Sequence, residues 1–296
     1  MLTTPEIFKR YEEIRPCLPQ TQIVKNMRDL TDFTEITKNA EAFVFDAFGV
    51  LNVGETLIPG ADLRLRELRA LGFEVRILTN AASHERSHSL NKFLKLGIEI
   101  QDKEIITSRE AAIVTLKTGL WGVIAANEDH LYDLSVDYLR LGTSPTEYDL
   151  VDGFLFLSSS NWAESEQQIL KLSLLKNNRP VIVANPDLVA PRNNGFSMEP
   201  GHFGHLLIDS GIKNVRFFGK PFPEVYDLVE YSLPGIPAHK IVMCGDTLHI
   251  DILGALMRGW QTVLVTRDGI YSGFDTKKYC SELGIYPDWR LACIGA

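Results

Sequence analysis

The stretch EAFVFDAFGV (41–50) is a short apolar run that ends in an acidic residue and a turn. Its apolar part, residues 42–45, predicts a buried β-strand, and Asp46 follows that strand directly. The next stretch, ADLRLRELRAL (61–71), has helical periodicity, and a second apolar run, EVRILT (74–79), comes after it. Short apolar runs that alternate with amphipathic stretches are typical of βαβ units and a parallel sheet. The sequence therefore predicts an α/β fold.

The same alternation returns near the other end of the chain, in VRFF (215–218), KIVMC (240–244) and QTVLV (261–265). Between the two ends lie about a hundred residues with strand and helix patterns of their own. We predict one α/β core that the two ends build together, with a second α/β domain inserted into it. The predicted parts are a helical N-terminal extension over 1–38, a core over 39–108 and 210–296, and an inserted domain over 109–209.

Composition excludes several classes of protein. The 296 residues contain 30 Lys and Arg against 38 Asp and Glu, for a net charge of −8, which disfavours nucleic acid and anionic membranes as partners. The four cysteines form no zinc-binding or paired pattern, as expected of a reducing compartment. The chain also lacks an apolar run of transmembrane length. We therefore expect a cytoplasmic protein with no nucleic-acid or membrane partner.

Polar residues follow four of the predicted strands. They are Asp46, the pair Thr79 and Asn80, Lys220, and Asp246 with Asp251 five residues on. Alone, Asp246 is equally well explained as a helix N-cap, and a lone Thr or Lys after a strand is more often exposed or part of a turn. Ligands of open α/β sheets, however, bind at the carboxyl ends of the strands. Carboxylates that converge there need a cation, and hard oxygen ligands suit Mg²⁺.

In this order the residues resemble the haloacid dehalogenase-like (HAD) superfamily, and specifically its class IIA branch of NagD-like sugar phosphatases and phosphoglycolate or pyridoxal phosphate phosphatases. The similarity spans about residues 41–270. GVLNVGETLIPGA (49–61) is similar to the flap of that branch, and VANPD (183–187) and EPGHFG (199–204) are similar to segments of its cap. The resemblance implies that the α/β core is a three-layer, Rossmann-like domain with a central parallel sheet, and that the inserted domain is an α/β class IIA, C2-type cap.

The resemblance also implies a phosphatase mechanism. Asp46 would attack phosphorus and form an aspartyl-phosphate, which water then hydrolyses. Mg²⁺ would be bound directly by Asp46, Asp246 and the backbone carbonyl of Phe48. Asp251, the remaining residue of the metal site, would hold a metal-bound water or Lys220. The phosphoryl oxygens would be bound by Thr79, Asn80 and Lys220. The substrate implied is a small phosphorylated metabolite, such as a sugar phosphate.

The cap would select that substrate. Asn185, Pro186 and Asp187 follow an apolar run, and by themselves they indicate only a turn. In a class IIA cap, however, the corresponding loop faces the substrate, and cap closure excludes water from the pocket. Relatives of this class are often dimers through their caps, so a homodimer is possible.

Phe48 departs from the family pattern, which has Asp two residues after the nucleophile to protonate the leaving group. Phenylalanine cannot transfer a proton, and general acid–base catalysis typically contributes about 10²–10⁴-fold. Three explanations remain open: a substrate that needs no acid, a substitute proton donor, or loss of turnover in a protein that only binds a phosphorylated ligand. The candidate donors are His84, His202, His205 and His249. Dehalogenase chemistry is disfavoured by the retained metal-binding aspartates, and phosphonatase chemistry by its different cap class.

Overall fold

Two parallel β-sheets organise the chain in the computed structural model, which describes residues 2–20 and 27–295. The strands are β1 (Arg28–Asp29), β2 (Ala42–Phe45), β3 (Asn52–Val53), β4 (Thr56–Leu57), β5 (Glu74–Thr79), β6 (Ile105–Thr107), β7 (Leu120–Ile124), β8 (Asp137–Arg140), β9 (Gly153–Phe156), β10 (Val181–Val183), β11 (Val189–Arg192), β12 (Gly195–Met198), β13 (Val215–Phe217), β14 (Ile241–Gly245), β15 (Gln261–Val265) and β16 (Trp289–Leu291). The α-helices are α1 (Thr4–Glu13), α2 (Thr34–Thr37), α3 (Ala61–Ala70), α4 (Arg86–Lys95), α5 (Ser108–Ile113), α6 (Pro145–Leu150), α7 (Glu164–Lys176), α8 (Pro200–Asp209), α9 (Pro223–Tyr231), α10 (Leu253–Met257) and α11 (Thr276–Leu283).

The core sheet has seven strands in the order β1-β16-β15-β14-β2-β5-β6, and every pair of neighbours is parallel. Its central strand β2 is buried along its whole length. Alternate residues of β2 pack into different hydrophobic clusters, Phe43 and Phe45 into one and Ala42 and Val44 into another. A strand that is covered on both faces must be apolar at every position, which explains the continuous apolar run. The predicted α/β fold with a parallel sheet is confirmed.

The cap sheet has five parallel strands in the order β13-β10-β9-β7-β8. Our prediction for residues 215–218 was wrong, because β13 pairs with β10 of the cap sheet and not with the core sheet. The second sheet therefore continues past residue 209, where we placed the end of the inserted domain. A short apolar run has the same appearance whichever parallel sheet it joins, so local pattern does not distinguish the two.

The N-terminal extension is only partly helical. Helix α1 is followed by a 3₁₀ turn, Arg15–Cys17, which contains Pro16. Strand β1 then adds to the edge of the core sheet beside β16, so residues 28–29 belong to the core and not to a separate extension. Two residues carry too little pattern for a strand prediction, and their pairing is decided by the strand that they meet.

The connection from the core sheet to the cap sheet is held by a buried ion-pair network. The guanidinium of Arg109, on α5, donates hydrogen bonds to Asp129 at 2.6 Å and to Asp133 at 2.7 Å. The Arg109 and Asp129 side chains are each only 1% exposed. The carbonyl of Ala82, in the core, accepts a further hydrogen bond from the same guanidinium. Arg109 thus ties a loop of the cap to a loop of the core.

Among the described residues, none of the helices has both the length and the apolar character needed to span a bilayer.

Candidate active site

Three carboxylates meet at the carboxyl ends of the core strands. Asp46 follows β2, and Asp246 follows β14, its neighbour in the sheet. Asp251 lies in a π-helical turn, Leu248–Ile252, that comes next in the chain. One carboxylate oxygen from each of these three aspartates lies within 4.8 Å of the others. These three aspartates, of which Asp46 is far from the other two in the sequence, therefore lie together in the structure as we predicted.

Lys220 joins this cluster with its ammonium group. Its Nζ donates to Oδ1 of Asp46 at 2.5 Å and to Oδ1 of Asp251 at 2.7 Å, and the residue is 1% exposed. Asn80 holds the backbone of Lys220 on both sides, because its Oδ1 accepts from the Lys220 N–H at 2.7 Å and its Nδ2 donates to the Lys220 carbonyl at 3.0 Å. The segment after the cap strand β13 is thereby anchored to the end of the core strand β5.

Backbone and hydroxyl donors fix the orientation of the two later carboxylates. Oδ2 of Asp251 accepts from the backbone N–H groups of Asp246 and Thr247, at 3.1 and 3.0 Å. Oδ2 of Asp246 accepts from the N–H of Ile270 at 2.8 Å, and its Oδ1 accepts from the hydroxyl of Thr247 at 2.8 Å. These donors stabilise the charged forms and limit the rotamers that each side chain adopts.

Glycine is required where the backbone passes closest to the cluster. Gly49 has a φ of +79°, and a Cβ there would lie 2.6 Å from Oδ2 of Asp246. A Cβ on Gly245 would lie 2.1 Å from the Cβ of Asp251. Any larger residue at either position would displace one of the three carboxylates.

The cluster concentrates negative charge in a buried site. Burial raises the pKa of Asp46 to about 6, although the Lys220 ammonium opposes the shift. Burial, together with the charges of Asp251 and Asp46, raises the pKa of Asp246 to about 8. Burial alone would lower the pKa of Lys220, but the Asp251 and Asp46 carboxylates raise it above its ordinary value. A donor set made only of carboxylate oxygens fits a hard divalent cation, which would relieve this repulsion.

The cluster opens into a cavity of about 620 Å³, the active-site cavity, whose wall is formed by both core and cap. Thr79 lies on this wall and is 3% exposed, and its Oγ1 accepts from the N–H of Ala81 at 3.1 Å. Asn80 also lines the cavity. Both residues lie at the strand end where we predicted them, and their roles in phosphate binding stay predictions.

Two of the three predicted cap residues line the same cavity. Oδ1 of Asp187 accepts from Nδ2 of Asn80 at 2.8 Å, which joins the cap loop to the core, and burial raises the pKa of Asp187 well above its usual value. Asn185 lines the cavity as well, and its Oδ1 accepts from the Asp187 N–H. Pro186 is not on the cavity wall and packs against the start of α8, where a Cβ on Gly201 would lie 2.1 Å from the Pro186 carbonyl oxygen.

Phe48 is part of the cavity wall, and two cations flank its ring. Nζ of Lys92, on α4, lies 4.7 Å from the ring centroid, and Cζ of Arg192, at the end of β11, lies 4.6 Å from it. Both distances are typical of cation–π contacts. The metal-binding role of the Phe48 carbonyl stays a prediction.

The N-terminal helix α1 contacts the site from outside the core. His249 is fully buried, its Nε2 lies 2.8 Å from Oε1 of Glu12, and its ring stacks on Tyr11 at 4.8 Å between centroids. The hydroxyl of Tyr11 accepts from the N–H of Leu188, next to the cap residue Asp187. Helix α1 therefore contacts both the turn that carries the third carboxylate and the cap loop.

The four histidines that we considered as substitute acids differ in position. His84 lines the active-site cavity and stacks on His88, with 3.8 Å between ring centroids. His202, His205 and His249 do not line this cavity. Of these four residues, only His84 is placed to face a substrate.

Comparison with known proteins supports the family assignment. A family model described as haloacid dehalogenase-like hydrolase matches residues 43–130, and a second HAD-hydrolase-like model matches residues 217–287. Phosphoglycolate phosphatase 1A from chloroplasts of Arabidopsis thaliana is 33% identical over 274 residues, which cover 85% of this chain and 74% of the relative. The chain belongs to the haloacid dehalogenase-like hydrolases. Dihydroxyacetone phosphatase of Corynebacterium glutamicum is 26% identical to this HAD hydrolase over 243 residues, covering 80% of this chain and 85% of the relative.

Solved structures show the same fold as this HAD hydrolase. A possible sugar phosphatase of the HAD superfamily from Cytophaga hutchinsonii superposes with a TM-score of 0.80 at 24% identity, covering 92% of this chain and 99% of the other. NagD from Escherichia coli superposes with a TM-score of 0.67 at 19% identity, covering 87% and 98%. The three-layer core with a class IIA cap is thereby confirmed.

Sequence reasoning missed several residues on the cavity wall of this HAD hydrolase, among them Lys92, Arg192 and Glu199. Arg192 lies on a β-hairpin formed by β11 and β12, which we did not predict. The Asn-Asn-Gly turn at 193–195 is a hairpin signal that was available in the sequence. Lys92 lies within an amphipathic helix, where nothing in the pattern distinguishes a cavity-lining lysine from a solvated one.

Proposed function

We propose that this HAD phosphomonoester hydrolase depends on Mg²⁺ and hydrolyses a small phosphorylated metabolite, with a sugar phosphate as the favoured class, through an aspartyl-phosphate on Asp46. The observation that carries the proposal is the placement of the Lys220 ammonium between the carboxylates of Asp46 and Asp251, with Asp246 beside them. Known relatives that act on dihydroxyacetone phosphate and phosphoglycolate, by their names, support a small substrate. A homodimer through the caps stays a prediction.

In the first step an oxygen of Asp46 attacks phosphorus and the ester P–O bond breaks, so that the phosphoryl group is transferred to Asp46. Lys220 offsets the negative charge of the attacking carboxylate and of the phosphoryl oxygens. The Thr79 hydroxyl donates to a phosphoryl oxygen and keeps phosphorus in line. Phe48 supplies no proton, so the leaving oxygen departs as an anion or takes a proton from solvent or substrate.

In the second step water attacks the phosphoryl group on Asp46, the bond to the carboxylate oxygen breaks, and free phosphate and Asp46 are released. Asp46, Asp246 and Asp251 are the side chains that would hold Mg²⁺. When bound, the ion supplies the positive charge that lets a carboxylate approach a phosphate dianion. Because the rate lacks general-acid assistance, it should depend strongly on the acidity of the leaving group.

Phosphate release from aryl and alkyl phosphates, measured with and without Mg²⁺, tests the proposal. We expect turnover of p-nitrophenyl phosphate in Mg²⁺, loss of turnover on chelation with EDTA, and loss in Asp46→Asn. The matched control is Asp227→Asn, which makes the same change on a carboxylate that is 62% exposed on α9. Equal rates in wild type and Asp46→Asn would refute the proposal.

A second candidate function is binding of a phosphorylated ligand without turnover, and Phe48 is the observation that favours it. It predicts saturable binding of a phosphorylated metabolite, by calorimetry, in a protein that releases no phosphate from any aryl ester. Aryl esters need little acid assistance, so their hydrolysis by wild type would exclude this candidate.

A further inference from the structure

The cavity wall around Phe48 carries an arrangement that the phosphatase mechanism does not use. We propose that Lys92 and Arg192 together bind a second anionic group, on the leaving group of the substrate, and so select phosphomonoesters whose leaving group is itself an anion. The inference rests on the proposed function, because it takes the phosphoryl group to be bound at Asp46 and Lys220.

The position of the two cations fits this task. Phe48 lies two residues after Asp46, the proposed nucleophile, and both residues line the active-site cavity. Nζ of Lys92 and Cζ of Arg192 both lie within 4.7 Å of the centre of the Phe48 ring. All three residues line the active-site cavity. An anion on the leaving group would therefore contact the part of the cavity wall where two positively charged side chains flank one aromatic ring.

The two cations come from different parts of the fold. Lys92 lies on α4, next to the core sheet, and Arg192 lies on the hairpin β11–β12 that follows the cap loop. A ligand that contacts both would join core and cap on one side of the cavity. Such a ligand would be bound only when the hairpin is seated over the core, which links recognition of the anion to exclusion of water.

Lys92 and Arg192 each contact a neighbouring carboxylate, but both can still bind an anionic ligand. Lys92 pairs with Glu55 at 2.8 Å, but the Glu55 side chain is 79% exposed, and such a pair is readily exchanged for a ligand. A single guanidinium nitrogen of Arg192 contacts Glu199, at 3.1 Å. A guanidinium has five N–H donors, so most of the donors of Arg192 remain for a ligand. The Glu199 carboxylate also accepts hydrogen bonds from Ser197 and Asn185, so Arg192 is only one of the groups that stabilise its charge.

The substrate class follows from this chemistry. A carboxylate or a second phosphate fits a bidentate guanidinium and an ammonium better than a neutral hydroxyl or carbonyl does. The cavity, at about 620 Å³, has room for a small leaving group of this kind beside the phosphoryl site. A leaving group without a charge would leave Lys92 paired only with the exposed Glu55 and would leave most of the N–H donors of Arg192 without a ligand, because Arg192 contacts the buried Glu199 through a single nitrogen.

Binding to the Asp46→Asn protein, in the presence of Mg²⁺, tests the inference without turnover. The probes are three para-substituted phenyl phosphates of similar size, with a carboxylate, a carboxamide or a second phosphate opposite the ester. Calorimetry gives the Kd of each in Asp46→Asn alone and combined with Lys92→Met, Lys92→Arg, Arg192→Met or Lys278→Met. Lys278 is the matched control, a lysine on α11 whose side chain is 71% exposed. Hydrolysis of the same esters by proteins with Asp46 intact reports the preference in kcat/KM.

We expect the carboxylate or the bisphosphate ester to bind about tenfold or more tightly than the carboxamide, the size expected of charge-assisted hydrogen bonds at a partly exposed site. Lys92→Met and Arg192→Met should each reduce that preference about tenfold, while Lys92→Arg and Lys278→Met retain it. The preference should also fall at high salt. Whether the carboxylate or the bisphosphate ester binds more tightly identifies which anion the wall accepts.

Equal Kd values for the charged and neutral esters, or a preference that survives both methionine variants, would overturn the inference. These outcomes are distinct from failure of the proposed function, in which wild type and Asp46→Asn release phosphate equally slowly from all three esters. Even then, a charge preference in Kd that disappears in Lys92→Met would support binding of the anion by this wall.

Discussion

Replacing Phe48 by aspartate introduces a carboxyl group at the position where the family resemblance leads us to expect the general acid. In isolation this change would be expected to restore general acid–base catalysis, which typically contributes about 10²–10⁴-fold. We expect a smaller gain, of at most about tenfold for an alkyl phosphate. The reason is the pair of cations, Lys92 and Arg192, that lies within 4.7 Å of the ring being replaced.

The magnitude follows from the charge that the new carboxyl group would meet. Two unit charges about 5 Å apart interact by about 3 kcal/mol at an effective dielectric constant of about 20, and by about 1 kcal/mol in bulk water. The side chains of Lys92 and Arg192 are 23% and 37% exposed, so the lower half of that range applies. Two such cations favour the carboxylate and lower the pKa of an aspartic acid at position 48. At neutral pH the group would then rarely hold the proton that an acid must donate.

The assay is kcat/KM for an alkyl phosphate divided by kcat/KM for p-nitrophenyl phosphate, a ratio that does not depend on the fraction of active enzyme. We expect the ratio to rise slightly in Phe48→Asp and at least tenfold further in Phe48→Asp/Lys92→Met, because removal of one cation raises the pKa of the new acid. Phe48→Asn is the matched control, since it has the same shape and transfers no proton. A gain of 10³-fold in Phe48→Asp alone, or no further gain in the double variant, would refute the reasoning.

Three other predictions concern stability, pH and the N-terminal helix. Arg109→Leu should lower the free energy of unfolding by about 3 kcal/mol, because it leaves the buried Asp129 carboxylate unpaired, and Arg109→Leu/Asp129→Leu should recover part of the loss; equal stability of wild type and Arg109→Leu in urea would contradict this. Burial lowers the pKa of His205 to about 3, so the unfolded chain binds a proton below pH 6.5 that the folded chain does not. The contribution of His205 to the free energy of unfolding is therefore full above pH 6.5 and about 2 kcal/mol smaller at pH 5. In urea titrations, the loss of stability between pH 8 and pH 5 should be larger by that amount in wild type than in His205→Phe. Tyr11→Phe leaves the buried N–H of Leu188 without its acceptor, and we expect kcat/KM to fall about tenfold with fold retained by circular dichroism; unchanged kinetics would mean that α1 does not position the cap loop.

Much of the candidate site could be anticipated from local pattern. The apolar runs before Asp46 and Asp246 indicate strands that are buried on both faces, and neighbouring parallel strands end at the same edge of a sheet. The strand before Thr79 gives the same indication. These predictions depend on periodicity over a few residues, which is a property that the sequence displays directly.

The placement of Lys220 was anticipated for a reason that proved wrong. We expected it at the end of a core strand, whereas it follows β13, which pairs within the cap sheet. Its ammonium reaches the carboxylates because Asn80 holds its backbone against the core. Local sequence pattern does not show hydrogen bonds between residues 140 positions apart. We therefore placed Lys220 near the carboxylates, as the structure does, but assigned the strand before it to the wrong sheet.

The sequence by itself determined the class of the fold, the strand ends that carry Asp46 and Asp246, and the absence of an acid at Phe48. These follow from the order and period of apolar residues and from the identity of single side chains. The tertiary structure alone decided which sheet β13 joins, that α1 lies against the cap loop, and that Lys92 and Arg192 meet at one aromatic ring. Each of these depends on pairing between segments far apart in the chain, and the free energy of such contacts is set by packing that no local stretch of sequence contains.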